Sequence, residues 1–161
     1  MTGIPPEKMA KFVKKCLEDE KYFKEDVTLD TDEFRYVAIV GKITIEVFQE
    51  KNTDCLVIGC TTNLSDGSCI VLFDPKPPNF MVIEQEAMRN GAQFVANPEK
   101  KIATVADIIY SDGLTKHELY RTVNRVVSAR TAFITSIRLL AGPSTPIKFD
   151  ESEDDHNPMH Q

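Results

Sequence analysis

The sequence predicts an α+β fold, in which an antiparallel sheet of about five to six strands is flanked by an N-terminal helix, a short middle helix and a long C-terminal helix. Three observations lead to this prediction. Core-type apolar residues recur at every second position on both sides of Gly41, as in a β-hairpin. Apolar residues recur with helical spacing near both ends of the chain. A capping sequence precedes the last helix. The length of 161 residues suits one domain with a core of its own.

Residues 5–20 are predicted to form the first helix. Pro5 and Pro6 suit its opening turn, where a missing N–H costs little. Apolar residues follow at three- and four-residue steps, which is typical of the buried side of an amphipathic helix. They are Met9, Phe12, Val13, Cys16 and Leu17. The acidic stretch from Tyr22 to Asp32 is predicted to be an irregular connector.

The next segment, Phe34 to Gln49, predicts a β-hairpin whose two-residue turn is Gly41-Lys42. The glycine would take the positive φ of the first central position. This turn sets the register, so that three cross-strand pairs share one face of the hairpin. The pairs are Val40 with Ile43, Ala38 with Ile45, and Tyr36 with Val47.

The opposite face of this hairpin carries Val37, Ile39 and Phe48 among polar residues. Such a face is too apolar to be left wholly in water. A helix of the same chain, a second copy of the chain or a bound protein could cover it, and the sequence leaves these alternatives open. The three apolar residues are therefore candidates for a partner-binding site.

Cys55–Cys60 and Cys69–Phe73 are predicted to be strands that complete an antiparallel meander with the hairpin. Asn79 can cap a short helix from Phe80 to about Arg89, although the first residues of this segment suit a strand equally well. Two more strands are predicted before the last helix, from Ala92 to Ala96 and from Ile102 to Tyr110.

The last helix is predicted to begin at a capping box, in which Thr115 is followed three residues later by Glu118. Apolar residues then form one stripe that a sheet or a partner must cover. The stripe consists of Leu119, Val123, Val126, Val127, Phe133, Ile134, Ile137 and Leu140. The polar side is predicted to carry Lys116, Arg121, Arg125 and Arg130. A solvated surface explains these residues most simply, but Arg121 and Arg125 are also candidates for contact with an acidic partner or a phosphate.

Residues 1–141 are predicted to form the single domain, and residues 142–161 a mobile acidic tail. The net charge of −6 disfavours nonspecific attraction to nucleic acid and to anionic membranes. No stretch approaches the roughly 18 apolar residues of a membrane span, and the first residues lack the pattern of a secretory signal. The four cysteines lie in apolar segments, as in a reducing compartment, so a cytoplasmic protein is expected.

Candidate chemistry is sparse. His117 is the one histidine outside the predicted tail, and no nucleophile elbow, phosphate-binding loop or metalloprotease motif occurs. The cysteine spacing lacks the two C-x2-C pairs of a typical zinc site. A disulfide between Cys60 and Cys69 is one alternative that the sequence leaves open. Asp107 is the one acid inside an apolar strand, where it could lie at an edge or pair with an arginine. We therefore expect no enzymatic activity, no metal and no cofactor. The alternative is a small enzyme or ligand-binding domain with a pocket between the sheet and the long helix.

The order of elements resembles the type III secretion chaperone-like fold, which secretion chaperones share with YbjN-type proteins. The similarity is clearest from Asn90-Gly91 to Leu140, where a turn, a strand pair, a short loop and a capped helix follow one another. The resemblance implies a small acidic homodimer that binds another protein and is not a catalyst. From the charge and composition given above, we expect neither nucleic acid nor a membrane as partner. The resemblance also implies client contacts on the first helix, where Phe12 lies, and on the sheet. The strand candidate Cys69–Phe73 and the proline-rich residues 75–78 depart from the pattern of that fold.

Overall fold

The computed structural model describes residues 3–73, 79–142 and 149, and confirms an α+β fold with a six-stranded antiparallel sheet. The helices are α1 Met9–Asp19, α2 Asp66–Leu72, α3 Asn79–Arg89 and α4 Lys116–Ala141, with short 3-10 turns at Pro6–Lys8 and Ser111–Gly113. The strands are β1 Phe23–Asp26, β2 Asp32–Val40, β3 Ile43–Glu50, β4 Cys55–Asn63, β5 Gln93–Asn97 and β6 Ile102–Tyr110. Their order in the sheet is β1-β2-β3-β4-β6-β5.

The β2–β3 hairpin has the predicted register. Val40 pairs with Ile43, Ala38 with Ile45, and Tyr36 with Val47. Gly41 has a φ of +64°, as the two-residue turn requires. Because the strand period is two, this register keeps the core-facing residues of both strands on the same face of the hairpin.

All four helices pack on one face of the sheet. The Tyr36 hydroxyl donates to the Ala10 carbonyl of α1 over 3.3 Å, and the Tyr120 hydroxyl of α4 donates to the Cys16 carbonyl of α1 over 2.8 Å. On the other half of the sheet, the Phe94 ring of β5 lies between Phe80 of α3 and Phe133 of α4. The fold is therefore a two-layer arrangement with one helical face and one face without described helices.

The structure confirms that Thr115 caps α4, because its hydroxyl accepts a hydrogen bond from the Glu118 N–H over 3.1 Å. Most of the predicted stripe is buried, but Leu140 is 42% exposed at the helix end. The prediction for Arg130 was wrong, since this residue is only 4% exposed. It lies seven residues after Val123 and seven before Ile137, which places it on the apolar stripe itself.

Two local predictions were also wrong. Cys69–Phe73 is not a strand, because Ser65 caps a helix there by accepting the Ser68 N–H over 3.1 Å. The stretch Tyr22–Asp32 is not wholly irregular, since β1 lies within it and pairs with β2. The charged residues of β1 hide its strand character, because they do not alternate with apolar ones.

After α4, one residue of the predicted tail is described. Phe149 forms an isolated bridge with Leu64, and the Arg138 guanidinium lies 5.1 Å from the centre of its ring. Residues 143–148 and 150–161 lie outside the described part of the chain, so the mobile acidic tail stays a prediction.

Candidate functional site

The face of the sheet opposite the helices, here called the open face, is the first candidate surface. It carries the three predicted residues Val37, Ile39 and Phe48, all of them half-buried. Strand alternation adds Val95, Ile108 and Tyr110, which are 65%, 42% and 54% exposed. None of the helices in residues 3–73 and 79–142 packs on this face.

An apolar row crosses the middle of the open face. Phe48 on β3 pairs with Val57 on β4, and Val57 pairs with Ile108 on β6. The next row contains the pair Gly59 and Ala106, whose side chains extend no further than a methyl group. The row is therefore bordered by a shallow depression that an apolar side chain from outside could enter.

Arg35 closes one end of this row. Its guanidinium lies 3.8 Å from the centre of the Phe48 ring, which is a cation–π contact. The same group donates to both Asp32 oxygens, over 2.8 and 3.1 Å, and to Glu46 over 2.9 Å. The hydrogen bonds from Arg35 lower the pKa of the Asp32 carboxyl below its usual range. Both carboxylates hold the guanidinium in place over the ring.

The sequence could not identify Val57 and Ile108 as part of this surface. Each is one residue in a run of apolar residues, and only the pairing of β4 with β6 brings them next to Phe48. That pairing joins strands separated by two helices and β5, so no local pattern reports it. Once the strand order is known, the alternation of side chains along each strand shows that both residues lie on the open face.

The other predicted site residues lie on the helical side. Phe12 is half-buried on α1, beside a groove. Arg125 on α4 donates to Asp107 over 2.7 Å and lies 3.9 Å from Glu118, while Arg121 lies 3.9 Å from the same glutamate. Asp107 thus pairs with an arginine, one of its two predicted alternatives, and these residues do not join the open face.

The sheet and α4 enclose a packed interior. Ile58, Val105, Val123, Val126 and Phe133 are all fully buried between them. Burial raises the pKa of the Cys60 thiol to about 11, which keeps it protonated near neutral pH and therefore a poor nucleophile.

The four cysteines, all within the described residues, are free, and Cys69 lies on α2 and not on a hairpin strand opposite Cys60. Among residues 3–73, 79–142 and 149, no three His, Cys, Asp or Glu side chains are grouped so that they could hold a metal. No helix in that part of the chain combines the length and the apolar character needed to cross a membrane.

Residues 9–137 match the family described as "Uncharacterized conserved protein (DUF2299)". The chain belongs to this family. Comparison with curated protein sequences gives no match. A crystal structure of an uncharacterized protein from Methanothermobacter thermautotrophicus is similar, with a TM-score of 0.72 and 21% identity over 82% of this chain and 98% of that one.

The structure of the HopA1–SchA chaperone–effector complex contains a chain that is similar to this DUF2299 member, with a TM-score of 0.56 and 9% identity. The match covers 80% of this chain and 95% of that one. This similarity supports the predicted chaperone-like fold. YbjN from E. coli, described as a putative transcription regulator, matches with a TM-score of 0.43 and 7% identity over 78% of this chain and 87% of that one.

Proposed function

We propose that this DUF2299 protein is a non-enzymatic, cytoplasmic, chaperone-like domain that acts as a homodimer and holds an extended, apolar segment of a partner protein on its open face. The observation that carries this proposal is the apolar row formed by Phe48, Val57 and Ile108, which none of the described helices covers. Contiguous apolar surface of this kind marks interaction sites in soluble proteins.

The chemistry of the open face favours an extended segment. The row runs across three strands, and the Gly59–Ala106 depression beside it accepts single side chains, not a whole helix. Arg35 places its guanidinium over the Phe48 ring at one end, and aromatic and arginine side chains are those that contribute most at protein interfaces. The similarity in fold to a chaperone–effector complex also supports binding to a protein.

The first test places a charge in the middle of the row. Ile108→Glu is expected to abolish partner binding, because a carboxylate buried in an apolar contact has no counter-charge there. The measurement is crosslinking of the tagged protein in the cells that produce it, followed by mass spectrometry and quantification of each crosslinked protein. ANS fluorescence of the purified protein should fall about twofold or more, since the dye binds exposed apolar surface.

Ile70→Glu is the matched control, since Ile70 is 71% exposed on α2 and lies on the helical side. It introduces the same charge and should retain the crosslinked partner. The proposal fails if the Ile108 variant, folded as judged by circular dichroism, retains the same partner in the same amount as the wild type.

The homodimer in this proposal is expected to form at the β5 edge. The opposite edge strand, β1, is short, charged and interrupted by a bulge, which are features that protect an edge from pairing. By contrast, β5 has neither charge, proline nor bulge, and no strand in the described residues pairs with its outer side. The neighbouring helix α3 exposes Met81, Val82 and Met88. Two β5 strands paired antiparallel about a twofold axis would extend the sheet across both copies.

Val95→Lys is expected to weaken this dimer at least tenfold. In a symmetric pairing centred on β5, the two introduced lysines lie opposite each other and repel. Sedimentation velocity over a concentration series measures the dissociation constant. Leu29→Lys, in an exposed loop beside β1, is the control with the same change in charge and should leave the dimer intact. A wild-type protein that stays monomeric at high concentration would contradict the proposed dimer.

A further inference from the structure

A groove of about 530 Å³ lies along α1 and the residues that precede it. Its apolar lining comes from Ile4, Pro5 and the half-buried ring of Phe12. Its volume lies within the range of about 300–1,000 Å³ that is usual for ligand sites. The groove is open to solvent and therefore suits part of an extended chain better than an enclosed small molecule.

Three lysines border this apolar lining. Lys8, Lys11 and Lys15 lie with Phe12 on one side of the helical segment, because their spacing of three, four and seven residues follows the helical repeat. Of the three, only Lys15 has an acidic partner in the described residues, Asp19 at 3.7 Å. Glu7 also borders the groove and lies one turn before Lys11, but the two do not form an ion pair.

Among the described residues, Lys8 and Lys11 are thus two cations without an acidic partner, in a protein whose net charge is −6. Side-chain amines at an apolar surface complement a ligand that carries both carboxylates and an apolar side chain. A polyanion such as nucleic acid would leave the apolar lining of the groove unused.

We propose that the α1 groove binds an acidic segment of a partner protein, in which an apolar side chain is flanked by aspartate or glutamate. The apolar side chain packs against Phe12 and Pro5, and the flanking carboxylates pair with Lys8 and Lys11. This site lies on the helical side of the sheet, since α1 packs there, so it is separate from the open face and does not depend on the function proposed for that face.

The probe is a fluorescein-labelled peptide with one phenylalanine between two pairs of glutamates, and its binding to the full-length protein is measured by fluorescence anisotropy. The double variant Lys8→Gln/Lys11→Gln is expected to bind it about tenfold more weakly. The control Lys51→Gln/Lys100→Gln removes the same charge from two exposed turns and should bind like the wild type. Raising the salt concentration from 50 to 500 mM should weaken binding to the wild type more than to the groove variant.

Two further peptides test the recognised chemistry. Replacing the glutamates by glutamine, or the phenylalanine by alanine, should each reduce affinity for the wild type about fivefold or more. Equal affinity of the double variant and the wild type, or equal losses in the groove variant and the control, would overturn the proposal. So would loss of binding in Ile108→Glu, because it would place the peptide on the open face.

A variant that ends at Phe149 tests the acidic run of this chain, Asp150 to Asp155, as a rival occupant. If the partner segment is the occupant, truncation should leave peptide affinity unchanged within about twofold. If truncation raises affinity tenfold, and a peptide of residues 150–161 binds with the same dependence on Lys8 and Lys11, the occupant is the tail and the proposal of a partner segment is wrong.

Discussion

Replacing Phe133 with alanine is expected to lower the free energy of unfolding by about 3–5 kcal/mol. Phe133 is fully buried, and its ring centre lies 5.3 Å from that of Phe94. Phe94 contacts Phe80, and Phe80 stacks on Phe73, so one chain of rings joins α4, β5, α3 and the end of α2. Loss of the first ring leaves a cavity and removes the contact that holds β5 and α3 against the long helix.

Urea denaturation followed by circular dichroism measures this loss. Thr135→Ala, two residues further along the same helix and exposed, is the control and should change stability by less than about 0.5 kcal/mol. A loss below about 1 kcal/mol for Phe133→Ala would show that the ring chain does not couple these elements. Hydrogen exchange should locate the additional opening in β5 and α3 and not in the β2–β3 hairpin.

Replacing Arg35 with methionine is expected to lower the free energy of unfolding by about 1–3 kcal/mol at pH 7. The Asp32 side chain has no exposed surface, and Arg35 is both its cover and its bidentate partner. Methionine fills part of the space over Phe48 but leaves the carboxylate with one hydrogen bond, from the Leu29 N–H at 3.1 Å. The stability is measured by urea denaturation.

The effect of this substitution depends on pH with a definite sign. The hydrogen bonds from Arg35 lower the pKa of Asp32 in the folded state, so the pair contributes stability above the unfolded pKa of about 3.9. That contribution is lost as the pH falls through the lower, folded value. The gap in stability between wild type and variant should therefore narrow from pH 7 to pH 3. The double variant Asp32→Asn/Arg35→Met should lose less than the two single changes combined, and a gap that does not vary with pH would contradict the assignment.

Features that depend on neighbours in the sequence could be predicted. The Gly41 turn determined the hairpin register because the strand period is two, and Thr115 determined the start of α4 because its hydroxyl reaches a backbone N–H three residues on. The position of Val37, Ile39 and Phe48 on the open face followed from the same register. Binding to a partner at these residues stays a prediction.

Features that depend on distant contacts could not be predicted. Arg130 was placed on the solvent side from its residue type, whereas the repeat of α4 puts it under the sheet near Cys60. The run Cys69–Phe73 is apolar enough for either a strand or a helix, and the Ser65 cap decided between them. The pairing of β6 with β4 brought Ile108 beside Phe48, and nothing local to either residue indicates that contact.

The strand order has a consequence for synthesis of the chain. Because β6 lies between β4 and β5, the sheet cannot be assembled strand by strand as the polypeptide leaves the ribosome. The hairpin and β4 are translated early, yet the long helix that covers much of their apolar face follows only after all six strands. Until α4 follows, Ile58 and Cys60 lack the helix that covers them in the finished fold, where both are buried. We therefore expect the unfinished sheet to be prone to aggregation.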